Sequence, residues 1–391
     1  MVSLLLLVAL LAAIFVGFNI GGSSTGVAWG PPVGARITNK TAAAALMTFF
    51  VFLGGWTVGR NVIDTLGGDL VPQALFSTEA SIVVLGFIGL GMLLANLYGV
   101  PVSTSMTAVG AIAGLGLATG RLDYAVVGSI MVWWVIAPIV GFWCGAVIGR
   151  YLYPYLDQRF ALEQSSGPLV TLDRSGLLPT LRLGPGTARR ELVSTVVVLM
   201  IACYMAFSAG ASNVANAVAP LVGGGSLGVN NAVILGTVAI GLGAFTIARR
   251  TMESVGNDLT DLPLLAATIV MVVAASITTV ASALGVPMSL ALSTVMCIVG
   301  LGWGRATRPT GVTDLVRGEV EAEISVNAVT AETGEKVPGV GEEDPENVQD
   351  VQQLFDPSSV VRFVAFWIIG PSVATALSYA TFVLLPIPGT V

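Results

Sequence analysis

Residues 59–70 read GRNVIDTLGGDL and residues 248–259 read ARRTMESVGNDL, so one block occurs twice in the chain at an offset of 189. A second block, GVPVS at 99–103, returns as GVPMS at 285–289 at an offset of 186. Two blocks in the same order at nearly the same offset indicate an internal repeat.

A third pair of segments extends the repeat toward the beginning of each half. Residues 17–24 read GFNIGGSS and residues 210–217 read GASNVANA, and they can be aligned at an offset of 193. With three blocks in register, the sequence predicts two related halves.

The composition indicates a protein whose main solvent is lipid. Of its 391 residues 54% are hydrophobic and only 10% are charged, with a mean hydropathy of +0.87, whereas a soluble domain carries about 25% charged residues. Apolar runs such as 80–99 and 262–285 reach the roughly 20 residues needed to span a bilayer. Continuous runs of this length favour helices over the alternating strands of a barrel. We therefore expect an all-α polytopic membrane protein with roughly ten to twelve membrane segments, counting re-entrant half-helices.

The chain lacks the residues that most membrane enzymes need. It has no histidine, which removes the commonest proton shuttle and metal ligand. Its three cysteines lie apart in apolar runs, with neither disulfide nor metal spacing. We expect no enzymatic activity, no metal centre, no resident cofactor and no nucleic-acid partner.

Two polar stretches divide the chain. Residues 150–190 contain six arginines, which predicts a cytoplasmic location by the positive-inside rule. Residues 305–358 are acidic and rich in Gly and Pro, which is typical of a flexible linker. The predicted organisation is a transmembrane repeat at 1–149, an Arg-rich connecting loop at 150–190, a second transmembrane repeat at 191–304, the acidic linker at 305–358 and a C-terminal transmembrane helix at 359–391.

Each half contains two places where small polar residues interrupt an apolar run: 19–25 and 101–107 in the first half, 208–216 and 287–294 in the second. A helix broken in lipid exposes backbone groups, which is tolerated only where protein or a water-filled cavity covers them. Paired breaks in corresponding positions of two repeats point to the central site of a transporter. The N–H groups at half-helix N-termini would direct partial positive charge at an anion.

The hydroxyl and amide side chains at these breaks are the candidate ligands. After Pro101, three consecutive hydroxyls accompany the free N–H groups of a helix start, so an oxyanion can be held without lysine or arginine. The alternative for each residue is close helix packing or a polar link between helices. The candidate substrate-binding residues are Asn19, Ser23, Ser24, Ser103, Thr104, Ser105, Ser212, Asn213, Asn216 and Ser289.

Four charged residues lie in the block that is repeated at the offset of 189. Arg60 and Asp64 occupy the first copy, and Arg249 and Glu253 the second. The i, i+4 spacing predicts an intrahelical ion pair. Such pairs either anchor the membrane boundary or serve in gating and coupling, because intramembrane charge is scarce and often functional.

The motifs resemble those of the inorganic phosphate transporter (PiT) family. The segment GASNVANA at 210–217 is similar to the family's repeated GANDVANA signature, and PVSTSM at 101–106 is similar to its PVSTTH segment. Asp64 and Glu253 stand where the family has a glutamate. The resemblance covers nearly the whole chain apart from the acidic linker, and it is closest to the sulfate-permease-like branch. It implies two inverted-topology repeats with broken or re-entrant half-helices, a site between them near the midplane, and alternating access.

The sequence departs from the family at the two signature aspartates, where the alignment places Ile20 and Asn213. An aspartate accepts a hydrogen bond from protonated phosphate, whereas sulfate at neutral pH has no proton to donate. The expected substrate is therefore an inorganic tetrahedral oxyanion, sulfate or phosphate, with the loss of both carboxylates favouring sulfate.

Several functional questions stay open at the level of sequence. Sodium or a proton remains the candidate coupling ion. The alternatives are a sodium-coupled phosphate symporter and an anion channel or sensor on the same scaffold. We expect a multi-pass protein of the plasma membrane, with the lipid bilayer as its surroundings and a homodimer as one open assembly.

Overall fold

The fold is all-α, as predicted, apart from one short hairpin in the connector between the halves. A computed structural model provides the coordinates. It describes residues 3–98, 103–159, 170–173, 180–183, 189–248, 252, 263–308, 357–385 and 387–389.

The first half begins with a long helix and ends in the Arg-rich connector. Its second helix stops at Trp56, and the chain bends by 65° before the third. π-helical turns at Thr65–Asp69 and Ile148–Leu152 extend two helices, and Gln73–Leu75 forms a 3-10 turn. The helices are α1 (Leu4–Gly34), α2 (Lys40–Trp56), α3 (Gly59–Asp64), α4 (Thr78–Tyr98), α5 (Thr104–Thr119), α6 (Tyr124–Val147) and α7 (Tyr153–Arg159).

Among the described residues, four helices of the second half repeat the order of α1, α2, α4 and α5, with similar lengths. The helix starting at Val229 has 17 residues, as α2 has, and begins 189 positions after it. A C-terminal helix follows the repeat. The helices are α8 (Arg189–Gly223), α9 (Val229–Phe245), α10 (Leu264–Ala283), α11 (Leu290–Ala306) and α12 (Pro357–Leu384).

The same local chemistry ends α2 and α9. Thr57 caps α2, and its hydroxyl donates to the Leu53 carbonyl at 2.7 Å. Thr246 caps α9, and its hydroxyl donates to the Leu242 carbonyl at 2.6 Å. Each hydroxyl adds a donor to a carbonyl in the last turn of its helix, where backbone N–H donors become scarce; the Leu53 carbonyl also accepts from the Thr57 N–H at 3.1 Å. The repeat is therefore present in the structure as well as in the sequence.

The two halves pack through matched glycine contacts. A Cβ added to Gly21 of α1 would lie 1.9 Å from the Ile240 carbonyl oxygen of α9. A Cβ added to Gly210 of α8 would lie 2.2 Å from the Val51 carbonyl oxygen of α2. Gly210 follows Gly21, and Ile240 follows Val51, by the same 189 positions. Only glycine allows backbones to approach so closely.

A second pair of contacts follows the same rule. Gly54 of α2 abuts the Phe207 carbonyl of α8 at 1.9 Å, and Gly243 of α9 abuts the Phe18 carbonyl of α1 at 2.0 Å, each measured from an added Cβ. In every case a contact between one residue of each half recurs with the halves exchanged. The repeats are therefore related by a pseudo-two-fold axis, with α1 on α9 and α2 on α8.

Two of the four predicted helix breaks are wrong. Residues 19–25 lie inside the continuous helix α1, and residues 208–216 lie inside α8. Polar side chains there bond back to the helix backbone: the Thr25 hydroxyl donates to the Gly21 carbonyl at 2.6 Å. The small residues serve close packing of the crossing helices, the alternative that the sequence had left open.

The other two predicted breaks, near 101–107 and 287–294, are confirmed as helix starts. Ser103 caps α5 and Ser289 caps α11, each accepting a hydrogen bond from an N–H in the first turn of its helix. A serine side chain at this position satisfies one of the N–H groups left free at a helix start. Residues 99–102, which precede α5, lie outside the described part of the chain.

The Arg-rich connector contains regular structure. The helical chain of α6 continues through α7 to Arg159, past residue 150, where a loop is predicted. Val170–Asp173 and Thr180–Leu183 then pair as antiparallel strands β1 and β2. The predicted acidic linker falls almost entirely outside the described residues, which resume at α12.

Apolar helices of membrane-spanning length dominate the described part of the chain. Five helices are long and apolar enough to cross a bilayer, and α2 with α3 forms a bent pair that meets the same test. Four further apolar helices are shorter, at 10–17 residues. The C-terminal α12 packs on α5, where the Ser378 hydroxyl donates to the Ala111 carbonyl at 2.6 Å.

Candidate functional site

Two hydroxyls and one backbone carbonyl form the centre of the polar site. Ser212 of α8 donates to the Met288 carbonyl at 2.7 Å and accepts from the Met288 N–H at 3.1 Å. Ser105 of α5 donates to the same carbonyl at 3.0 Å, and the two hydroxyl oxygens lie 3.3 Å apart. The chain just before α11 is thereby joined to the first turn of α5, so the starts of the two half-helices meet.

Two amides extend this cluster toward α1. Asn216 donates to the Ser105 hydroxyl at 3.0 Å and to the Asn213 side-chain oxygen at 3.2 Å. Asn213 donates to the Ser24 hydroxyl at 3.4 Å. The Asn216 side-chain oxygen is buried and has no hydrogen-bond partner among the described residues. We call Ser24, Ser105, Ser212, Asn213 and Asn216 the central cluster.

The pseudo-two-fold axis passes through this cluster. Ser24 and Asn213 are 189 positions apart, which is the offset of the glycine contacts. A residue pair separated by the repeat offset and in direct contact must lie on the axis that exchanges the halves. The central cluster therefore occupies the position where the two repeats meet.

This geometry corrects the alignment of the first signature copy. The structure pairs Gly21 with Gly210 and Phe18 with Phe207, so the offset here is 189 and not 193. Ser24, and not Ile20, is the counterpart of Asn213. The prediction that Ile20 replaces a family aspartate is wrong, and Ser24 takes its place.

The cluster is neutral and lies at two helix N-termini. Its five side chains are hydroxyls and amides. The N–H groups in the first turns of α5 and α11 contribute partial positive charge there, as at any helix start. Ser103 and Ser289 hold these first turns through cap hydrogen bonds of 3.3 Å to the N–H groups of Met106 and Leu292. Both are buried and both are candidates from the sequence.

The remaining candidates of the first half lie beside the cluster and bond within their own repeat. Asn19 donates to the Phe15 carbonyl at 2.9 Å, and its side-chain oxygen accepts from Asn96 at 3.1 Å. Ser23 bonds back to the carbonyls of Asn19 and Ile20. Thr104 donates to the Met92 sulfur at 3.2 Å. Asn96 is a site residue that sequence reasoning missed, although a lone amide in the apolar run 80–99 was a visible signal.

The second repeat has hydroxyls at the positions of Asn96 and Met92. At the offset of 186, Ser282 corresponds to Asn96 and Thr278 to Met92. Both hydroxyls are fully buried and have no hydrogen-bond partner among the described residues. These two residues of α10 were likewise not predicted from the sequence.

Arg60 and Asp64, the charged residues in the first copy of the repeated block, bond outside the central cluster. Arg60 donates to the Trp56 carbonyl at 2.7 Å and to the Asn230 side chain at 2.8 Å, and it stacks on the Trp56 ring at 4.6 Å. Asp64 is exposed, and the Arg60 guanidinium bonds to these groups in place of the predicted ion pair. Arg249 and Glu253 lie outside the described residues.

Comparisons with known proteins agree with this architecture. The sequence profile of the Phosphate transporter family matches residues 20–378. The sulfate permease CysP of Bacillus subtilis is 29% identical over 300 residues, covering 76% of this chain and 77% of the permease. A protein of Haemophilus influenzae named as a phosphate permease is 25% identical over 368 residues, covering 76% of this chain and 88% of that protein.

A solved structure has the same fold. The structure of a sodium-dependent phosphate transporter superimposes with a TM-score of 0.64 at 20% identity, covering 98% of this chain and 100% of that one. Two repeats of apolar helices with a polar cluster on their common axis define an α-helical membrane permease with several membrane-spanning helices. Because the family profile covers most of the chain, the protein belongs to the Phosphate transporter family.

Proposed function

We propose that the protein carries a fully ionised tetrahedral oxyanion, with sulfate the preferred substrate, across the plasma membrane. The observation that supports this most directly is the neutral pair of Ser24 and Asn213 on the pseudo-two-fold axis. No carboxylate belongs to the central cluster, so among the described residues a dianion there meets N–H dipoles, hydroxyls and amides. The similarity to a sulfate permease supports the same choice.

The anion is held by exchange of hydrogen-bond partners. Ser105 and Ser212 both direct their hydroxyls to the Met288 carbonyl. A sulfate oxygen replaces this carbonyl as the acceptor, because a charged acceptor makes the stronger hydrogen bond. The side chain of Asn216 and the N-termini of α5 and α11 supply further donors.

Inverted topology of the two repeats is part of this proposal. Gly17 of α1 lies against Ala239 of α9, and Gly22, further along α1, lies against Ile247, just past the end of α9. Because the contacts advance in the same direction along both helices, α1 and α9 run parallel. Only residues 224–228 connect α8 to α9, and Gly236 in the middle of α9 lies against Val218 near the end of α8, so α9 returns antiparallel to α8. The equivalent helices α1 and α8 then cross the membrane in opposite senses. This arrangement supports alternating access by movement of one repeat against the other.

A labelling experiment tests the inverted topology. Ser3→Cys and Arg189→Cys, placed singly in a background lacking the three native cysteines, mark the starts of α1 and α8. A membrane-impermeant thiol reagent should label them from opposite sides, with Arg189 on the cytoplasmic side. Labelling of both from one side would overturn the inverted arrangement.

Transport itself is tested in sealed vesicles. Purified protein is reconstituted, and uptake of labelled sulfate is measured with unlabelled phosphate, molybdate and thiosulfate as competitors. We expect sulfate to be taken up and to be displaced only weakly by phosphate at neutral pH. Preferred uptake of phosphate would replace this proposal with that of a phosphate symporter, and downhill flux alone would indicate a channel.

The coupling ion follows from the same neutral cluster. The aspartates of the family signature would supply carboxylate ligands for sodium, and the Ser24–Asn213 pair contributes no carboxylate. We therefore expect uptake to persist when sodium is replaced by choline. A strict requirement for sodium would contradict this expectation.

Catalysis is not part of the proposal, and a homodimer stays a prediction.

A further inference from the structure

We propose that an anionic phospholipid binds in a groove between α7, α8 and α10, with one acyl chain in the groove and the phosphate at its arginine-bearing end. The groove has a volume of about 250 Å³. Its lining comes from the end of the α6–α7 chain, the third and fourth turns of α8, and the first half of α10. Six of the lining residues are Leu152, Leu156, Val197, Ile201, Leu265 and Ile269.

The lining of the groove suits a hydrocarbon chain. All of its residues are apolar except Thr268, whose hydroxyl donates to the Leu264 carbonyl at 2.6 Å and is therefore satisfied within its own helix. Leu152 is 51% exposed at the rim, so the groove opens toward the surroundings of the helices. In a membrane protein those surroundings are lipid tails, which enter an apolar groove without losing hydrogen bonds.

Three positively charged features converge at one end of this groove. Arg190 precedes the lining residue Val197 by seven positions in α8, and Arg159 follows Leu152 by seven positions. Seven residues are close to two full helical turns, so each arginine continues the lining face about 10 Å along. Both arginines are exposed.

The third feature is the start of α10. Leu265, in its first turn, lines the groove, so the first-turn N–H groups lie at the same end. The residue at the cap position is Pro263, which has no side-chain acceptor to satisfy them. A helix N-terminus flanked by two guanidinium groups is complementary to a phosphate.

The net charge of this end of the molecule favours an anion. Arg150, Arg305 and Arg308 are buried close by, and the Arg308 guanidinium donates to the Arg150 carbonyl. With Arg159, Arg189 and Arg190 there are six arginines among the described residues here, against two carboxylates, Asp157 and Glu191. The positive-inside rule places this end at the cytoplasmic leaflet, where basic sites between helices attract anionic lipids.

The experiment measures lipid binding to the purified full chain in detergent. Phosphatidylglycerol should bind and raise the thermal midpoint in a saturable way. Phosphatidylcholine with the same acyl chains should bind more weakly, and inorganic phosphate should cause no such shift. Equal binding of both lipids, or an equal shift with inorganic phosphate, would overturn the proposal, because the first removes the charge requirement and the second the requirement for an acyl chain.

Variants separate the two parts of the site. Arg159→Gln with Arg190→Gln should weaken phosphatidylglycerol binding by roughly tenfold or more. Arg121→Gln, at the opposite end of α6, is the matched control and should leave binding unchanged. Val197→Trp should fill the groove and reduce binding with both arginines present, whereas Val238→Trp, 53% exposed on another apolar face, should not. Wild-type affinity in both the arginine pair and Val197→Trp would exclude the groove.

Discussion

The polar motif of the second repeat bonds across the molecule, whereas its counterpart in the first repeat bonds mainly within its own half. In α8, Asn213 reaches Ser24 of α1, and Asn216 reaches Ser105 of α5. In α1, Asn19 is held by Asn96 of the same repeat and Ser23 bonds back to its own helix. The backbone is symmetric and the polar chemistry is not.

This difference separates the features that serve helix packing from those that we assign to substrate binding. The glycine contacts obey the two-fold rule, because packing of crossing helices imposes the same need on both halves. The central cluster departs from it, because one anion lying near the axis cannot be contacted identically by two unequal sequences. The second repeat therefore contributes most of the donors that we assign to the oxyanion.

The largest loss of stability is expected from substitutions at the glycine contacts that the two halves share. Gly21→Ala and Gly210→Ala each place a methyl within 2.2 Å of a backbone carbonyl oxygen in the other half. Rotation of a side chain cannot relieve this clash, so the cost should reach or exceed the roughly 3 kcal/mol of severe overpacking. The yield of monodisperse protein in size-exclusion chromatography should collapse for both variants.

Gly86→Ala is the control for that experiment, because nothing lies within 4 Å of its added Cβ. It lies within a helix and should be neutral or stabilising. If Gly21→Ala gives normal protein while Gly210→Ala does not, the two contacts are not equivalent and the pseudo-two-fold packing is wrong.

A second large effect is expected from the hydroxyls that bond across the halves. Ser105→Ala with Ser212→Ala removes two donors to the anion, and each hydrogen bond to a charged group contributes about 1.5–3 kcal/mol. Sulfate uptake in vesicles should fall by about a hundredfold or more, with membrane insertion intact. Uptake close to that of the wild type would remove both residues from the site.

Ser103→Ala with Thr104→Val sharpens this comparison, because the sequence alone gives these hydroxyls equal standing. The Ser103 side chain accepts a cap hydrogen bond and Thr104 donates to a methionine sulfur. We expect a smaller loss of uptake, mainly through a weakened start of α5, worth about 1 kcal/mol. Ser23→Ala, whose hydroxyl bonds back to its own helix, should change uptake least.

The third prediction concerns selectivity at the axis. Asn213→Asp introduces a carboxylate beside Ser24, which repels sulfate strongly at low local dielectric. The same group accepts a hydrogen bond from protonated phosphate and provides a ligand for sodium. Sulfate uptake should therefore fall about tenfold more than phosphate uptake, and the remaining phosphate uptake should become more dependent on sodium.

Asn96→Asp is the matched control, since it adds the same charge beside Asn19, away from the Ser24–Asn213 pair. It should lower overall uptake without changing the ratio of sulfate to phosphate. An equal change of the sulfate-to-phosphate ratio in both variants would mean that selectivity does not depend on the position of the added charge, and would contradict the role assigned to the Ser24–Asn213 pair on the axis.

The sequence predicted the class, the repeat and the two half-helix starts because each depends on local signals. Ser103 and Ser289 follow Gly-Val-Pro in both halves, and a serine before an apolar run is a reliable helix start. The register of the first signature copy was not predictable in this way. Offsets of 189 and 193 differ by four residues, close to one helical turn, so both place the polar residues on the same face.

The local sequence also could not predict that α1 and α8 are continuous helices. Serine, threonine and glycine in an apolar run fit either a broken helix or a close crossing of two intact helices. What decides between them is the backbone that lies opposite, such as the Ile240 carbonyl beside Gly21. That partner is more than two hundred residues away in the sequence.

The smallest expected effect compares the two equivalent positions on α4 and α10. Asn96 donates to Asn19 at 3.1 Å, whereas the buried hydroxyl of its counterpart Ser282 has no partner among the described residues. Removing an unpaired buried hydroxyl relieves a desolvation cost, while removing Asn96 loses a hydrogen bond and leaves the Asn19 oxygen without its donor. Ser282→Ala should leave the free energy of unfolding unchanged or raise it by less than about 1 kcal/mol, and Asn96→Leu should lower it by about 1–3 kcal/mol. If Ser282→Ala instead reduces sulfate uptake at unchanged stability, the Ser282 hydroxyl binds the substrate. The second repeat then contributes one more ligand in addition to Ser212, Asn213 and Asn216.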